Sequence, residues 1–234
     1  MLLQNYFQNL KKEYSHYTFS NIAFDSSKVK KNYIFFAIKG NTHDGHLYIN
    51  DAIKKGAKII IHEKKFNGIK NGVLFLYSKN VRKKLAEFSF KINKSIPKNL
   101  VAVTGTNGKS SVADFYFQIL KLNNIKVASI GTLGVKKNNS LFKLPNTTID
   151  PLSLSQILKN LKKQKINNVI LEASSHGLAQ NRLDGLKFEA GIFTNLSHDH
   201  LDYHKTMKNY FKAKLYLFQN LLRFYLGLKD QLLY

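Results

Sequence analysis

The stretch Val101-Ala-Val-Thr-Gly-Thr-Asn-Gly-Lys-Ser-Ser111 holds the residue types that phosphate chemistry needs, in the order it needs them. A β-branched run, Val101 to Thr104, enters a turn bracketed by Gly105 and Gly108, and Lys109-Ser110 open a helical pattern. Glycines let backbone N–H groups close on a phosphate, and the new helix points its positive end at the same place. Lys109 has the reach for β- and γ-phosphates, and the Ser110 hydroxyl can bind magnesium. The match to the standard phosphate loop is incomplete. That pattern has its first glycine five residues before Gly108, where Val103 stands, so what remains is G-x-x-G-K-S.

Two further groups belong with this loop. Glu172 ends an apolar run, Asn168 to Leu171, where a second magnesium ligand belongs in a nucleotide-binding sheet, although an acid there can be only a cap. Ser174-Ser175-His176-Gly177 follows and suits either an anionic substrate or a helix cap. The segment His198-Asp-His-Leu-Asp-Tyr-His204 packs three His and two Asp into seven residues. It suits metal and phosphate chemistry. Its His-x-His pair resembles a zinc cluster, but no third ligand set at typical spacing stands out.

The elements that must position these groups are legible. After the loop, Val112 to Leu122 continues a helix that Asn123-Asn124 ends, and Val127 to Ile130 is a strand. Asp150-Pro151 is a helix start, with Leu154, Ile157, Leu158 and Leu161 as its apolar face. Ala190 to Thr194 is another strand, ending before Asn195. Strands alternating with helices predict a doubly wound, mainly parallel sheet whose ligands sit at the strands' carboxyl ends. Upstream, residues 21–78 read as a smaller α/β unit: Tyr33 to Ile38 as a strand, a loop from Gly40 to Gly45, Leu47 to Lys55 as a helix with Gly56 as C-cap, and short strands Ala57 to Ile61 and Val73 to Tyr77. Asn80 caps a helix to about Ile92, and Leu2 to Tyr14 reads as a short helix. The polar Lys94 to Asn99 stretch places a boundary, giving an N-terminal domain over 1–96 and an ATPase domain over 97–234.

Composition excludes several classes. The 234 residues carry no cysteine, so disulfides and cysteine-ligated metals are ruled out. No apolar run approaches the ~20 residues that span a bilayer, and the start lacks a signal pattern, so a cytoplasmic protein with no membrane insertion is expected. The net charge of +23 raises nucleic acid as a partner. Yet of the 37 Lys and Arg only three are Arg (Arg82, Arg182, Arg223), and the lysines are scattered, which favours a solvated basic surface.

Thr104-Gly-Thr-Asn-Gly-Lys-Ser110 closely resembles the ATP loop of the Mur ligases, ATP-dependent amide ligases that build the peptidoglycan stem peptide. Glu172 to Leu178 with Gln180 and Arg182, and Phe193 to His204, resemble the branch that extends UDP-MurNAc-L-Ala-D-Glu by a diamino acid. Asn146-Thr147-Thr148 matches that branch's substrate loop, with Ile149 in place of its usual proline. Phe24-Asp-Ser-Ser27, Phe35 to Gly40, Asp44-Gly45 and Gly56-Ala57 look like the family's uridine-binding domain. The resemblance covers about residues 20–220. It implies that Gly105, Thr106, Asn107, Gly108, Lys109, Ser110 and Ser111 hold ATP, and that Ser110, Glu172 and His200 hold magnesium. It implies a substrate site of Asn146, Thr147, Thr148, Ser174, Gln180 and Arg182, with Phe24, Ser26, Asn41, Thr42 and His43 against the uridine nucleotide. Lys214 falls at the spacing of the family's N-carboxylated lysine and would share the metal; without the family it is one lysine among many. Lys109, Glu172, His200 and Lys214 thus carry the catalysis, through an acyl phosphate. The diamino acid is expected to be meso-diaminopimelate, and the protein a monomer.

The alternatives are a sibling amide ligase, such as another Mur ligase or a folylpolyglutamate synthetase, and a non-catalytic basic nucleotide- or nucleic-acid-binding protein. The tail from Leu221 to Tyr234 matches no motif of the family, whose central domain runs further before a third domain begins. An incomplete ATPase domain with exposed apolar surface is therefore expected, and an isolated chain that does not complete the ligase reaction.

Overall fold

The computed structural model describes residues 1–7, 10–40, 43–138 and 140–223. Asn41 and Thr42, and the tail beyond residue 223, lie outside the described residues. The chain divides into two compact units, Met1–Lys91 and Ile92–Tyr234.

The first unit is built on a five-stranded sheet in the order β1-β2-β3-β5-β4: β1 Asn21–Ala23, β2 Tyr33–Phe36, β3 Ala57–His62, β4 Gly68–Lys70 and β5 Val73–Tyr77. All pairings are parallel except β4 with β5. Helix α1 (Ile49–Lys54), entered through a 3-10 turn at Gly45–Tyr48, packs its buried Ala52 against Phe35, Ala57 and Ile60. Asn80 caps α2 (Val81–Ile92), its Oδ1 accepting from Lys83 N at 2.9 Å.

The helix expected over Leu2–Tyr14 is not formed. Two 3-10 turns, Leu3–Asn5 and Lys12–Tyr14, stand there instead. The segment's ends are tied across to residues 17–19: Leu3 N donates to Tyr17 O at 2.8 Å, and the Met1 amine to Phe19 O at 2.7 Å. That tie buries Leu3 and sets Tyr6 against Phe19 and Phe88, contacts that a straight helix would break.

The second unit holds a six-stranded sheet in the order β11-β6-β10-β7-β8-β9. Its strands are β6 Asn99–Thr104, β7 Val127–Gly131, β8 Gly134–Lys137, β9 Ser140–Phe142, β10 Asn168–Glu172 and β11 Ala190–Phe193. The four strands β11, β6, β10 and β7 are parallel, and β8-β9 add an antiparallel hairpin at one edge. Helix α3 (Lys109–Leu122) lays Ala113 and Val112 on Val101, Val103 and Ile170. Helix α4 (Pro151–Lys163) buries Leu154, Leu158 and Leu161, and Asp150 caps it by accepting from Ser153 N at 2.9 Å. Three shorter helices follow: α5 Ser175–Ala179, α6 Leu201–His204 and α7 Met207–Tyr216. After α7 the backbone at 221–223 runs beside the start of the β11 edge, Phe188 N donating to Leu221 O at 2.9 Å and Arg223 N to Phe188 O at 2.8 Å. No helix among the described residues is long and apolar enough to cross a membrane.

Candidate active site

The parallel register brings four strand ends to one edge. Thr104 of β6 lies beside Phe193 of β11, and Val103 beside Glu172 of β10; Leu171 of β10 lies beside Ile130 of β7. The loops that leave these strands therefore converge.

The loop after β6 is braced by the loop after β11. Thr106 N donates to Asn195 O at 2.9 Å, and Asn107 N to Asn195 Oδ1 at 3.0 Å. The Thr194 hydroxyl donates to Asn107 O at 2.6 Å. The Tyr210 hydroxyl of α7 donates to Thr106 Oγ1 at 3.1 Å. Gly105 sits at φ +149°, and a Cβ there would stand 1.8 Å from Thr194 Oγ1. Only glycine lets the two loops pack this closely. The Lys109 ammonium folds back onto the loop, donating to Gly105 O at 3.0 Å and Thr106 O at 2.7 Å. Burial lowers its pKa, and Glu172 and Asp199 act against that loss.

Glu172 is only 3% exposed, and its carboxylate is fully gripped. Ser110 Oγ and Thr132 Oγ1 each donate to Oε2 at 3.0 Å, and Thr132 N donates to Oε1 at 3.1 Å. The structure thus joins Ser110 of the phosphate loop to Glu172 one strand away.

Lys214 of α7 is 1% exposed. It donates to Gly105 O at 2.6 Å and lies 4.2 Å from the centre of the Tyr210 ring. Burial first, then the neighbouring Lys109 charge, pull its pKa down to about 8, with Asp199 opposing. With a pKa of about 8, roughly a tenth of this amine is uncharged at pH 7, far more than for an ordinary lysine, and the uncharged form is the nucleophilic one.

His200 takes a left-handed backbone at φ +51° and sits in an aromatic cluster, 4.9 Å from His176 and 6.1 Å from Tyr210 between ring centres. His204 lies 5.4 Å from His176. Burial lowers the pKa of both His176 and His204. Among the described residues no group of three or more His, Asp or Glu side chains is arranged around a metal position.

The other candidates form a second connected set. Thr148 Oγ1 donates to Glu172 O at 2.9 Å and accepts from Ser174 N at 3.0 Å. Ser174 caps α5, accepting from Gly177 N at 3.1 Å. Arg182 donates to Gln180 Oε1 at 2.7 Å through Nη2 and to Thr148 O through Nη1. Asn146 is exposed in the same loop, with Thr147 half-buried beside it, and Ser111 is exposed on the first turn of α3. In the first unit, Phe24 and Ser26 follow β1, and His43 is exposed in the loop after the neighbouring β2. Four residues that position the phosphate loop or Glu172 were not singled out from sequence: Thr132, Thr194, Asn195 and Tyr210. Thr132, Thr194 and Asn195 follow strand ends, the one signal that could have raised them.

Family models cover nearly all of this. Residues 103–228 match the Mur ligase middle domain, and residues 18–100 match the Mur ligase family catalytic domain. The chain belongs to the Mur ligase family. Among its Mur ligase relatives, UDP-N-acetylmuramoyl-L-alanyl-D-glutamate--2,6-diaminopimelate ligase of Rickettsia montanensis is 44% identical over 216 residues, 91% of this chain and 45% of that protein. The ligase of the same name from Clostridium tetani is 38% identical over 90% of this chain and 44% of its own. A solved structure of a ligase with that name superposes with a TM-score of 0.80 at 31% identity, covering 95% of this chain and 46% of that one. The ADP complex of MurF ligase from Thermotoga maritima, 20% identical over 85% of this chain and 42% of its own, shares the fold with a TM-score of 0.56. The chain spans about half the length of the curated relatives it matches.

The donor chemistry of this Mur ligase site fits a nucleotide phosphate and a hard cation. The half-buried Lys109 ammonium and the buried Lys214 ammonium meet at Gly105 O, positive charge of the kind a phosphate needs. Ser110 and Glu172 offer oxygen ligands of the kind that magnesium takes alongside water and phosphate oxygens.

Proposed function

We propose that this chain is the nucleotide- and precursor-binding part of a MurE-type ligase, which adds a diamino acid, meso-diaminopimelate, to UDP-MurNAc-L-Ala-D-Glu. The observation that carries the reading is the contact of the Ser110 hydroxyl with the buried Glu172 carboxylate beside Lys109, at one edge of a parallel sheet. The relatives' shared name supports the choice of acceptor and amino acid.

ATP would give its γ-phosphoryl group to the D-glutamyl carboxylate, leaving ADP and an acyl phosphate; the incoming amine then attacks the acyl carbon, and phosphate and a proton leave as the amide forms. The chain's own residues do the positioning. Gly105 to Ser111 form the nucleotide loop: the backbone N–H groups at the start of α3, Gly108 to Ser111, cradle the phosphates, while those of Thr106 and Asn107 brace the loop on Asn195. Lys109 leaves its loop carbonyls to neutralise them, which is the larger part of catalysis in phosphoryl transfer. Ser110, Glu172 and His200 hold magnesium, with Lys214 as a carbamate: its neutral amine adds carbon dioxide, loses a proton, and becomes a carboxylate. Asn146, Thr147, Thr148, Ser174, Gln180 and Arg182 hold the acidic dipeptide. Phe24, Ser26 and the 41–43 loop hold the uridine nucleotide. The protein would work in the cytoplasm, as a monomer, in peptidoglycan synthesis and hence in cell-wall growth and division.

Isothermal titration of the 234-residue chain tests this. Saturable binding of magnesium ATP and of UDP-MurNAc-L-Ala-D-Glu is expected. Preference for a folate over that dipeptide, or steeply salt-dependent nucleic-acid binding with no UDP-sugar binding, would overturn it.

A further inference from the structure

Thr132 stands where the carboxylate facing the phosphate loop meets the loop that carries Asn146, Thr147 and Thr148. Its neighbour Gly131 makes that meeting possible. A Cβ on Gly131 would fall 2.1 Å from Glu172 Oε1 and 2.4 Å from its Cδ, so the backbone passes directly under the carboxylate. Thr132 then grips both oxygens, its N–H on Oε1 at 3.1 Å and its hydroxyl on Oε2 at 3.0 Å. The Thr147 hydroxyl lies 3.0 Å from Thr132 Oγ1.

The direction of that last contact follows from counting hydrogens. A threonine hydroxyl has one proton, and that of Thr132 goes to Glu172. Thr147 must therefore donate to Thr132. The protons run Thr147 to Thr132 to Glu172, and Ser110 adds a third hydroxyl from the phosphate-loop side. The Thr132 and Ser110 protons reach one buried carboxylate directly, and the Thr147 proton reaches it through Thr132. Thr132 and Thr147 consequently keep lone pairs, not protons, for any further partner. An acidic acceptor is poorly received by lone pairs. A cation that satisfies Glu172 frees the Thr132 proton, and with it the Thr147 proton, to turn outward toward that acceptor.

We propose that Thr132 is a positioning residue that couples Glu172 to Thr147, so that loading of a magnesium nucleotide and loading of the acidic acceptor each tighten the other. This deepens the ligase reading and rests on it. The coupling is reciprocal, as any binding linkage must be. Thr148 is not the carrier, because its hydroxyl is spent on the Glu172 carbonyl and the Ser174 N–H, not on the carboxylate.

The test is calorimetric titration of UDP-MurNAc-L-Ala-D-Glu into the 234-residue chain, with and without saturating magnesium and a non-hydrolysable ATP analogue. The nucleotide should tighten acceptor binding by about five-fold or more, the lower end of ordinary couplings. Thr132→Ser, which keeps the hydroxyl, should retain the ratio. Thr132→Val should bring it to about one, and so should Thr147→Val, with chelation of the magnesium doing the same to the wild type. A residue that merely supports the fold would lower both affinities and leave their ratio alone. A wild-type ratio in Thr132→Val overturns the proposal. If that variant does not fold, the pair Thr132→Ser and Thr147→Val decides, since equal ratios in the two are incompatible with it. A wild-type chain that binds both ligands with a ratio of one overturns the coupling and leaves the ligase reading standing. A wild-type chain that binds no magnesium nucleotide ends both.

Discussion

The two units carry the same kind of parallel sheet, but the carboxyl ends of their strands differ. In the first unit the backbone closes them: Ala37 N donates to Ile61 O at 2.9 Å, and Ser78 N to His62 O at 2.8 Å. The polar side chain there, His62, is 3% exposed, sits 3.2 Å from Phe66 O through Nε2, and meets the Phe75 ring edge-on. It is a satisfied core residue. In the second unit the ends open into Gly105, Thr132, Glu172 and Asn195, whose polar atoms meet. A parallel sheet thus provides an edge, and chemistry needs in addition a glycine that admits a second loop and a buried carboxylate held by donors from other strands.

If that contrast is right, the largest effect comes from the second unit's edge. Lys109→Ala should weaken magnesium ATP binding by on the order of 10²-fold, read by titration, with little change in melting temperature, since the ammonium is half-buried and its partners are loop carbonyls. An ATP affinity within error of wild type would remove the loop from the site. Gly105→Ala should cost both properties. Its Cβ strikes Thr194 Oγ1 and the φ of +149° suits glycine, so about 1–3 kcal/mol of stability and the nucleotide response should go together in a denaturant titration.

His62→Phe should do the reverse, leaving ATP affinity alone and changing stability, by about 1 kcal/mol from the lost hydrogen bond. It also carries a pH signature. Burial lowers the folded-state pKa of His62 from 6.5. The unfolded chain therefore takes up the proton first as pH falls. The stability of the neutral ring is complete above 6.5 and is lost as pH drops below that value toward the folded pKa. Denaturant midpoints measured across this window should fall less steeply in the variant; an unchanged slope would show that His62 does not titrate with folding. The smallest effect belongs to Asp150→Ala, where loss of the α4 cap should cost about 1 kcal/mol.

Much of the second unit was legible in the sequence because its signals are local. The glycine-Lys-Ser run fixes where β6 ends and α3 begins, and Asp150-Pro151 fixes the start of α4. Glu172 could be placed at a strand end from its apolar run alone. What escaped depends on partners distant in sequence. The strands β1, β4 and β9 are three residues each, too short for any alternation, and exist only through their neighbours. The hairpin β8-β9 is hidden because β8 ends in polar Lys136 and Lys137, followed by Asn138. The amino-terminal helix failed because the pull of Tyr17 and Phe19 on Met1 and Leu3 outweighs local periodicity. Thr132 escaped for the same reason: a threonine after a strand says nothing until Glu172, 40 residues on, arrives beneath it.

Lys109 and Lys214 both donate to the carbonyl of Gly105, at 3.0 and 2.6 Å, and burial lowers the pKa of each. Two like charges on one oxygen would make the proposed nucleotide loop attractive to small polyanions as well. Inorganic phosphate, sulfate or pyrophosphate in a purification buffer should then raise the melting temperature with concentration, as any ligand selective for the native state must, and compete with the proposed nucleotide. Nucleotide affinities measured in such buffers should read too weak, so the titrations above call for a phosphate-free, sulfate-free buffer.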